Sequence, residues 1–252
     1  MNMSTSETLI DTKIKLSARL EPFDTYWQAP EDVESGFDSF YAYYKANYLP
    51  HMPGDHAAKI LIISCGPGYL VNTLNRHEYE NVTGIDSDPE KVAYATTRKL
   101  NCSTAEAFPF LAETDNRYDL IIAEQELNHL TLEEQIRFLR LCRSRLAPGG
   151  YVHVYGLNGA NPMVGSENLA HNIDHFNTFT EYSLKQLLEV SGYSRIKTLP
   201  LKLYVFWKNP LNYVGLAITT MYETYCRIMF KLYGKNVRIL SKKIAAIAYA
   251  AG

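Results

Sequence analysis

Lys59-Ile-Leu-Ile-Ile-Ser-Cys-Gly-Pro-Gly-Tyr69 is the stretch whose reading decides the fold. Its apolar run, Ile60–Ile63, is too short for a helix that packs alone and is rich in β-branched residues, so it reads as a buried strand. The run ends abruptly in Cys65-Gly66-Pro67-Gly68, and a helix-like stretch follows over about Pro67–Arg76. Gly66 and Gly68 let the backbone turn sharply and approach a ligand without a Cβ in the way. The helix beginning there points free N–H groups and the positive end of its dipole over the turn. That is a cradle for a small ligand, although the same two glycines also suit an ordinary tight connection between strand and helix.

The residues downstream extend the pattern. Val82–Ile85 reads as a second strand, with Asp86 at its carboxyl end about 20 residues beyond the glycines. A carboxylate there can accept two hydrogen bonds from a ribose diol. Asp88-Pro89-Glu90 starts a helix with an acidic N-cap and a proline in the first turn, and that helix runs to about Leu100. Asn101–Thr104 reads as a short third strand, Ala105–Phe110 as a turn or short helix, and Tyr118–Glu124 as a fourth strand. Leu130–Leu146 has the spacing of an amphipathic helix, Ala147-Pro-Gly-Gly150 breaks it, and Tyr151–Tyr155 is a fifth strand. Strands alternating with helices at this pace predict a parallel sheet with helices on both faces and ligands beyond the carboxyl ends of the strands.

Composition sets the outer bounds. The chain has 252 residues, with apolar and charged fractions ordinary for a globular protein. Met1–Arg19 is polar and does not read as a signal peptide, and no apolar stretch reaches the roughly 18 residues needed to span a bilayer. Cys65, Cys102, Cys142 and Cys226 stand without paired spacing, which argues against a disulfide framework or a zinc site and fits a reduced cytoplasm. Net charge is −2, but Arg195–Gly252 carries ten Lys and Arg against one acid, Glu223. A basic tail on an acidic body suggests an anionic partner, either a phosphorylated substrate or a membrane surface; solvated lysines are the plainer reading.

Before the first strand, Phe37, Phe40, Tyr41, Tyr43, Tyr44 and Tyr48 recur at three- and four-residue intervals between Glu34 and Leu49, the spacing of one helix face closed by Pro50 and Pro53. Such a stripe serves either as core packing or as a lid. Residues 1–33 read as a flexible leader and 34–252 as a single domain.

In order along the chain, strand–Cys-Gly-Pro-Gly, Gly84-Ile-Asp86-Ser-Asp-Pro, Tyr118-Asp-Leu-Ile-Ile, Asn128-His129-Leu and Leu146-Ala-Pro-Gly-Gly-Tyr resemble a class I S-adenosylmethionine-dependent methyltransferase over about Lys59–Tyr155. That resemblance implies a Rossmann-like, seven-stranded, mostly parallel sheet, here with an N-terminal helical lid and a helical insertion before the last strand. Asn158-Gly-Ala-Asn-Pro and Asp174-His-Phe-Asn-Thr-Phe-Thr-Glu-Tyr-Ser-Leu resemble a narrower group, methyltransferases encoded with bacterial capsule and O-antigen genes. The resemblance implies that Cys65, Gly66 and Gly68 receive the methionine part of S-adenosylmethionine and Asp86 the ribose hydroxyls. Ser87, Thr104 and Ala105 would lie beside the adenine, and Glu124 near the sulfonium. S-adenosylhomocysteine is the implied product. The family usually has an acid at Ile62, glycine at Ser64 and often aspartate at Thr104; Tyr44 is a candidate to support the cofactor in their stead.

Methyl transfer to a hydroxyl needs alignment and a base, and histidine is the first candidate near neutral pH. His129, shortly after the fourth strand, and His175, between the fifth strand and the next helix, stand where the mouth of the sheet is expected. His129 reads equally as a structural residue beside the cofactor. Glu124, Glu126, His129 and His175 have no recognised metal-ligand spacing, and no metal is expected. Thr180 caps a helix to Ser191 with Tyr182, Leu184, Leu187, Leu188 and Val190 as its buried stripe, and Gly192 ends it. Arg195–Val205 reads as a sixth strand and Lys242–Ala250 as the seventh, antiparallel beside it. The long segment Phe206–Ser241 mixes Trp207, Tyr213, Tyr222, Tyr225, Phe230 and Tyr233 with basic groups, and Asn209-Pro210 starts a helix that Gly234 stops. It suits acceptor cover, a homodimer contact or peripheral membrane contact, in that order.

The resulting expectation is a cytoplasmic O-methyltransferase for a sugar or phosphorylated decoration of a bacterial surface-polysaccharide precursor, a small-molecule or lipid- or nucleotide-linked glycan. The acceptor would sit under inserts 157–178 and 206–241; nucleic acid is not an expected partner. A non-catalytic scaffold of the same fold is the alternative. A nicotinamide oxidoreductase fits less well, because its third glycine falls at Val71.

Overall fold

The computed structural model describes residues 32–123, 126–171, 173, 175–205 and 208–251, so the leader expected over 1–33 lies almost wholly outside the described residues. Helix α1, Val33–Asn47, opens with a reciprocal cap in which Asp32 accepts from the Ser35 N–H and Ser35 reaches back to the Asp32 N–H. Strand β1 is Lys59–Ile63, α2 Tyr69–Asn75, β2 Asn81–Asp86, α3 Pro89–Thr97 and β3 Cys102–Thr104. Then follow α4 Ala107–Glu113, β4 Tyr118–Ala123, a single 3-10 turn Glu126–His129 and α5 Leu132–Ser144. The last elements are β5 Leu146–Leu157, α6 Gly165–Ala170, α7 Glu181–Val190, β6 Tyr193–Pro200, α8 Pro210–Leu232 and β7 Lys243–Ala250.

The seven strands form one sheet in the order β3-β2-β1-β4-β5-β7-β6. Pairing is parallel from β3 through β5, and β7 runs antiparallel between β5 and β6. This is the Rossmann-like architecture that the family resemblance implies, with its N-terminal helix and its helical insertion before the last strand. Both faces of the parallel strands are apolar, because helices cover both. Leu61, Ile63, Ile121 and Val152 pack toward α5 and α7, and Ile60, Ile62, Leu120 and Ile122 toward α1 and α2.

Several boundaries and one buried face differ from expectation. Helix α2 begins at Tyr69 because Gly68 takes φ +88°, which belongs to the turn. The breaker 147–150 lies inside β5 as an irregularity: Tyr118 pairs with Leu146 and Leu120 with Tyr151, with Gly149 at φ +81° between them. Strand β6 stops at Pro200. In α7 only Leu184, Leu187 and Leu188 are buried; Tyr182 and Val190 face solvent.

The aromatic stripe of α1 is core. Phe37 and Phe40 flank Tyr69, each with ring centroids 4.7 Å away, and Tyr48 packs 4.9 Å from the His153 ring. His153, on β5, is buried, and neither ring nitrogen reaches a hydrogen-bond partner among the described residues. Burial first, then the neighbouring His51, pulls its pKa from 6.5 down to about 3. Between those two values the unfolded chain binds a proton that the folded core refuses, so stability falls as pH drops below 6.5. Urea denaturation as a function of pH should show this: His153→Leu should flatten the acid limb by up to about 1.4 kcal/mol per pH unit.

Candidate active site

The carboxyl ends of β1, β2 and β3 lie side by side, and the register sets Asp86 directly beside Thr104. Asp86 is buried and held from two sides: Oδ2 accepts from the Gly66 N–H at 2.8 Å and Oδ1 from the Asp88 N–H at 2.9 Å. An ionised carboxylate has about four acceptor positions, so two remain for a ligand. Ser87 and Thr104 are exposed at the same edge, and Ala105 donates its N–H to the Asp86 carbonyl.

The two glycines of the turn do different work. Gly66 has φ +53° and nothing within 4 Å of where a Cβ would stand, so its backbone is bare toward the mouth of the sheet. Gly68 turns inward instead; a Cβ there would meet Leu100 Cδ1 at 2.8 Å and Ala95 Cβ at 3.1 Å. It seats the turn on α3, not a ligand. Cys65 also points inward, where its thiol hydrogen-bonds Cys102 and lowers that thiol's pKa. Gly84 makes room for this contact, since a Cβ on it would stand 2.8 Å from Cys65 Sγ and 2.9 Å from Cys102 Sγ. Tyr44 is buried, edge-on to Tyr48 at 5.3 Å. Glu124 lies outside the described residues. Ser64 has φ +58°, the left-handed conformation that favours glycine, and Ile62 is buried in the apolar face toward α1.

The sequence-predicted histidines, 46 positions apart, come together. The rings of His129 and His175 stand edge to face with centroids 4.8 Å apart. His175 Nδ1 lies 2.8 Å from the Asn168 carbonyl, and a carbonyl only accepts, so Nδ1 carries the hydrogen and Nε2 the lone pair of the neutral ring.

Asparagines that sequence reasoning passed over as functional hold this arrangement. Asn128 Nδ2 donates to the Asn177 carbonyl, its Oδ1 accepts from the Leu157 N–H, and its carbonyl accepts from the Phe176 N–H. Asn158 Nδ2 donates to the Ile239 and Ser241 carbonyls, Asn161 Nδ2 to Leu240 and Asn168 Nδ2 to Lys242. Their signal in the sequence is the spacing Asn158-Gly-Ala-Asn161.

Residues 60–150 match the family model described as "Methyltransferase domain". The matched stretch is about a third of the chain. A ubiquinone biosynthesis O-methyltransferase from Caulobacter sp. (strain K31) is 29% identical over 106 residues, 40% of this chain and 41% of that relative's length. Among solved structures, an S-adenosylmethionine-dependent methyltransferase from Archaeoglobus fulgidus superposes with a TM-score of 0.64 at 19% identity, covering 84% of this chain and 93% of that one. Phosphoethanolamine N-methyltransferase 2 of Haemonchus contortus, in complex with S-adenosylmethionine, gives 0.56 at 12% identity, covering 87% and 58%. The fold is that of the class I methyltransferases, and S-adenosylmethionine is the ligand of the Haemonchus contortus neighbour. The bare Gly66 backbone and the half-satisfied Asp86 carboxylate fit it.

Two measurements test this edge of the sheet. Asp86→Ala should weaken S-adenosylmethionine binding in calorimetry by at least about tenfold, the ~1.5–3 kcal/mol of a hydrogen bond to a charged group. Ser64→Gly should relieve the left-handed backbone and raise stability toward urea by about 0.5–1 kcal/mol, the gain being partly offset by a looser unfolded chain.

Proposed function

We propose that this chain is an O-methyltransferase acting on a hydroxyl of a sugar, or of a phosphorylated decoration, in a bacterial surface-polysaccharide precursor carried on a lipid or nucleotide. The single observation that carries oxygen methylation is the His129–His175 pair, with the His175 ring set by the Asn168 carbonyl so that Nε2 can take a proton. The glycan class rests on the resemblance of Asn158–Pro162 and Asp174–Leu184 to methyltransferases of capsule and O-antigen clusters. The curated relative being an O-methyltransferase agrees with transfer to oxygen.

When bound, S-adenosylmethionine supplies a methyl group on a positively charged sulfur. Asp86 uses its two remaining acceptor positions for the ribose diol, and Ser87, Thr104 and Ala105 border the adenine. The turn at Gly66 takes the methionine end against bare backbone. His175 or its neighbour His129 removes the acceptor proton as the oxygen–methyl bond forms and the sulfur–methyl bond breaks. Inserts 157–178 and 206–241 cover the acceptor, tied to each other through Asn158 and Asn161.

A second reading, a scaffold without activity, draws on Ile62, the left-handed Ser64 and Thr104, where the family it resembles usually has an acid, a glycine and often an aspartate. One experiment separates the two. Release of S-adenosylhomocysteine is followed with a panel of nucleotide-linked and lipid-linked sugars, alongside calorimetric titration with S-adenosylmethionine. His175→Ala should lower turnover by about 10²–10⁴ while leaving cofactor affinity unchanged. Failure of the unaltered protein to bind S-adenosylmethionine would leave the scaffold reading.

A further inference from the structure

Helix α8 is the most unusual surface of the molecule. Of its 23 residues only Asn212 and Cys226 are buried. Val214, Ile218, Met221, Tyr225, Ile228 and Leu232 are all exposed, from 55% for Val214 and Ile228 to 75% for Leu232. Their spacing of four, three, four, three and four places them on one line along the helix, about 27 Å long. Solvent-facing apolar stripes of this extent mark a contact with something else.

The charges around the stripe select the partner. Lys208, Lys231, Lys235 and Arg238 are exposed, and the segment's single acid, Glu223, is occupied by Arg227 at 2.7 Å. A second copy of the helix would set these cations against one another with no carboxylate to answer them. The positions flanking the stripe, Gly215, Ala217, Tyr222, Thr224, Met229 and Lys231, hold no opposite charges for pairing two helices. An anionic lipid surface satisfies both features, taking the apolar stripe into its acyl boundary and the cations at its headgroups. Tyr213, Tyr225 and Tyr233, exposed along the helix, suit the polar–apolar boundary. No helix among the described residues is long and apolar enough to cross a membrane, so this contact lies on the surface.

We propose that α8 docks this protein on an anionic bilayer through Val214, Ile218, Met221, Tyr225, Ile228 and Leu232, with Lys208, Lys231, Lys235 and Arg238 on the headgroups. Topology gives the docking a consequence. Strand β6 runs parallel to β5 because both are antiparallel to β7, so α8 leaves and returns at the edge of the sheet where Asp86 and the histidines sit. Docking therefore brings the mouth of the site to the lipid–water interface. The inference does not depend on the acceptor's chemistry.

The test is cosedimentation with phosphatidylcholine vesicles, with and without a third of phosphatidylglycerol, over a salt series. Binding should require the anionic lipid, weaken as salt rises, and fall at least tenfold in the double variant Ile218→Glu/Ile228→Glu and severalfold in Lys231→Glu/Lys235→Glu. Unchanged melting temperature and S-adenosylmethionine affinity in both variants would show that the fold is intact. Absence of binding to the anionic vesicles, or equal binding by the double variant, would overturn the proposal. So would a dimer in light scattering that the double variant splits, with no vesicle binding, since the stripe would then be a self-interface.

Discussion

The hydrogen bond from the Gly66 N–H to Asp86 Oδ2 ties the turn after β1 to the carboxyl end of β2. The glycine-turn side of the candidate site is placed relative to that pair. The bond forms only if the chain reverses tightly at Ser64–Gly68, and the reversal needs left-handed backbone at Ser64, Gly66 and Gly68. It also needs the turn to sit close on β2 and α3. Gly84 admits the two thiols of Cys65 and Cys102, and Gly68 admits Leu100 and Ala95. This edge of the sheet is thus shaped by packing on one side and by a twice-bonded carboxylate on the other.

The acceptor side is organised by a different force. Insert and return segment have little regular structure, so their backbone carbonyls need donors that no sheet or helix supplies. Buried asparagine amides take that role, with Asn158, Asn161 and Asn168 gripping the carbonyls of residues 239–242. Because the Asn168 carbonyl is also the partner of His175, the same clamp that fastens the insertion before β7 orients a candidate base. Long inserts of this kind are costly in chain entropy unless several such bonds act together.

Two places run against local preference. Ser64 holds a conformation better suited to glycine, and His153 buries two ring nitrogens under Tyr48 among apolar neighbours. The first lies on the functional turn, where backbone geometry is dictated by the strand-to-helix reversal. The second lies under α1, and nothing in the structure ties it to the chemistry.

Much of the architecture was legible in the chain itself. The β-branched run Ile60–Ile63, the glycines, Asp86 at the end of an apolar strand, and caps at Asp88, Thr180 and Asn209 are local signals, and local sterics and hydrogen bonding suffice to read them. Alternation of elements pointed to a parallel sheet, whereas the strand order came only with the tertiary structure. What the sequence could not decide depended on which residues distant in the chain become neighbours. Spacing could nominate His129 and His175, but only the 3-10 turn after β4 and the insert after β5, drawn together by Asn128, make them a pair. The aromatic periodicity of α1 was plain, yet whether it faced core or ligand rested on Tyr69 arriving between Phe37 and Phe40. The apolar line of α8 was likewise in the sequence. That it faces solvent was decided by the sheet, whose core α1, α2, α5 and α7 already fill.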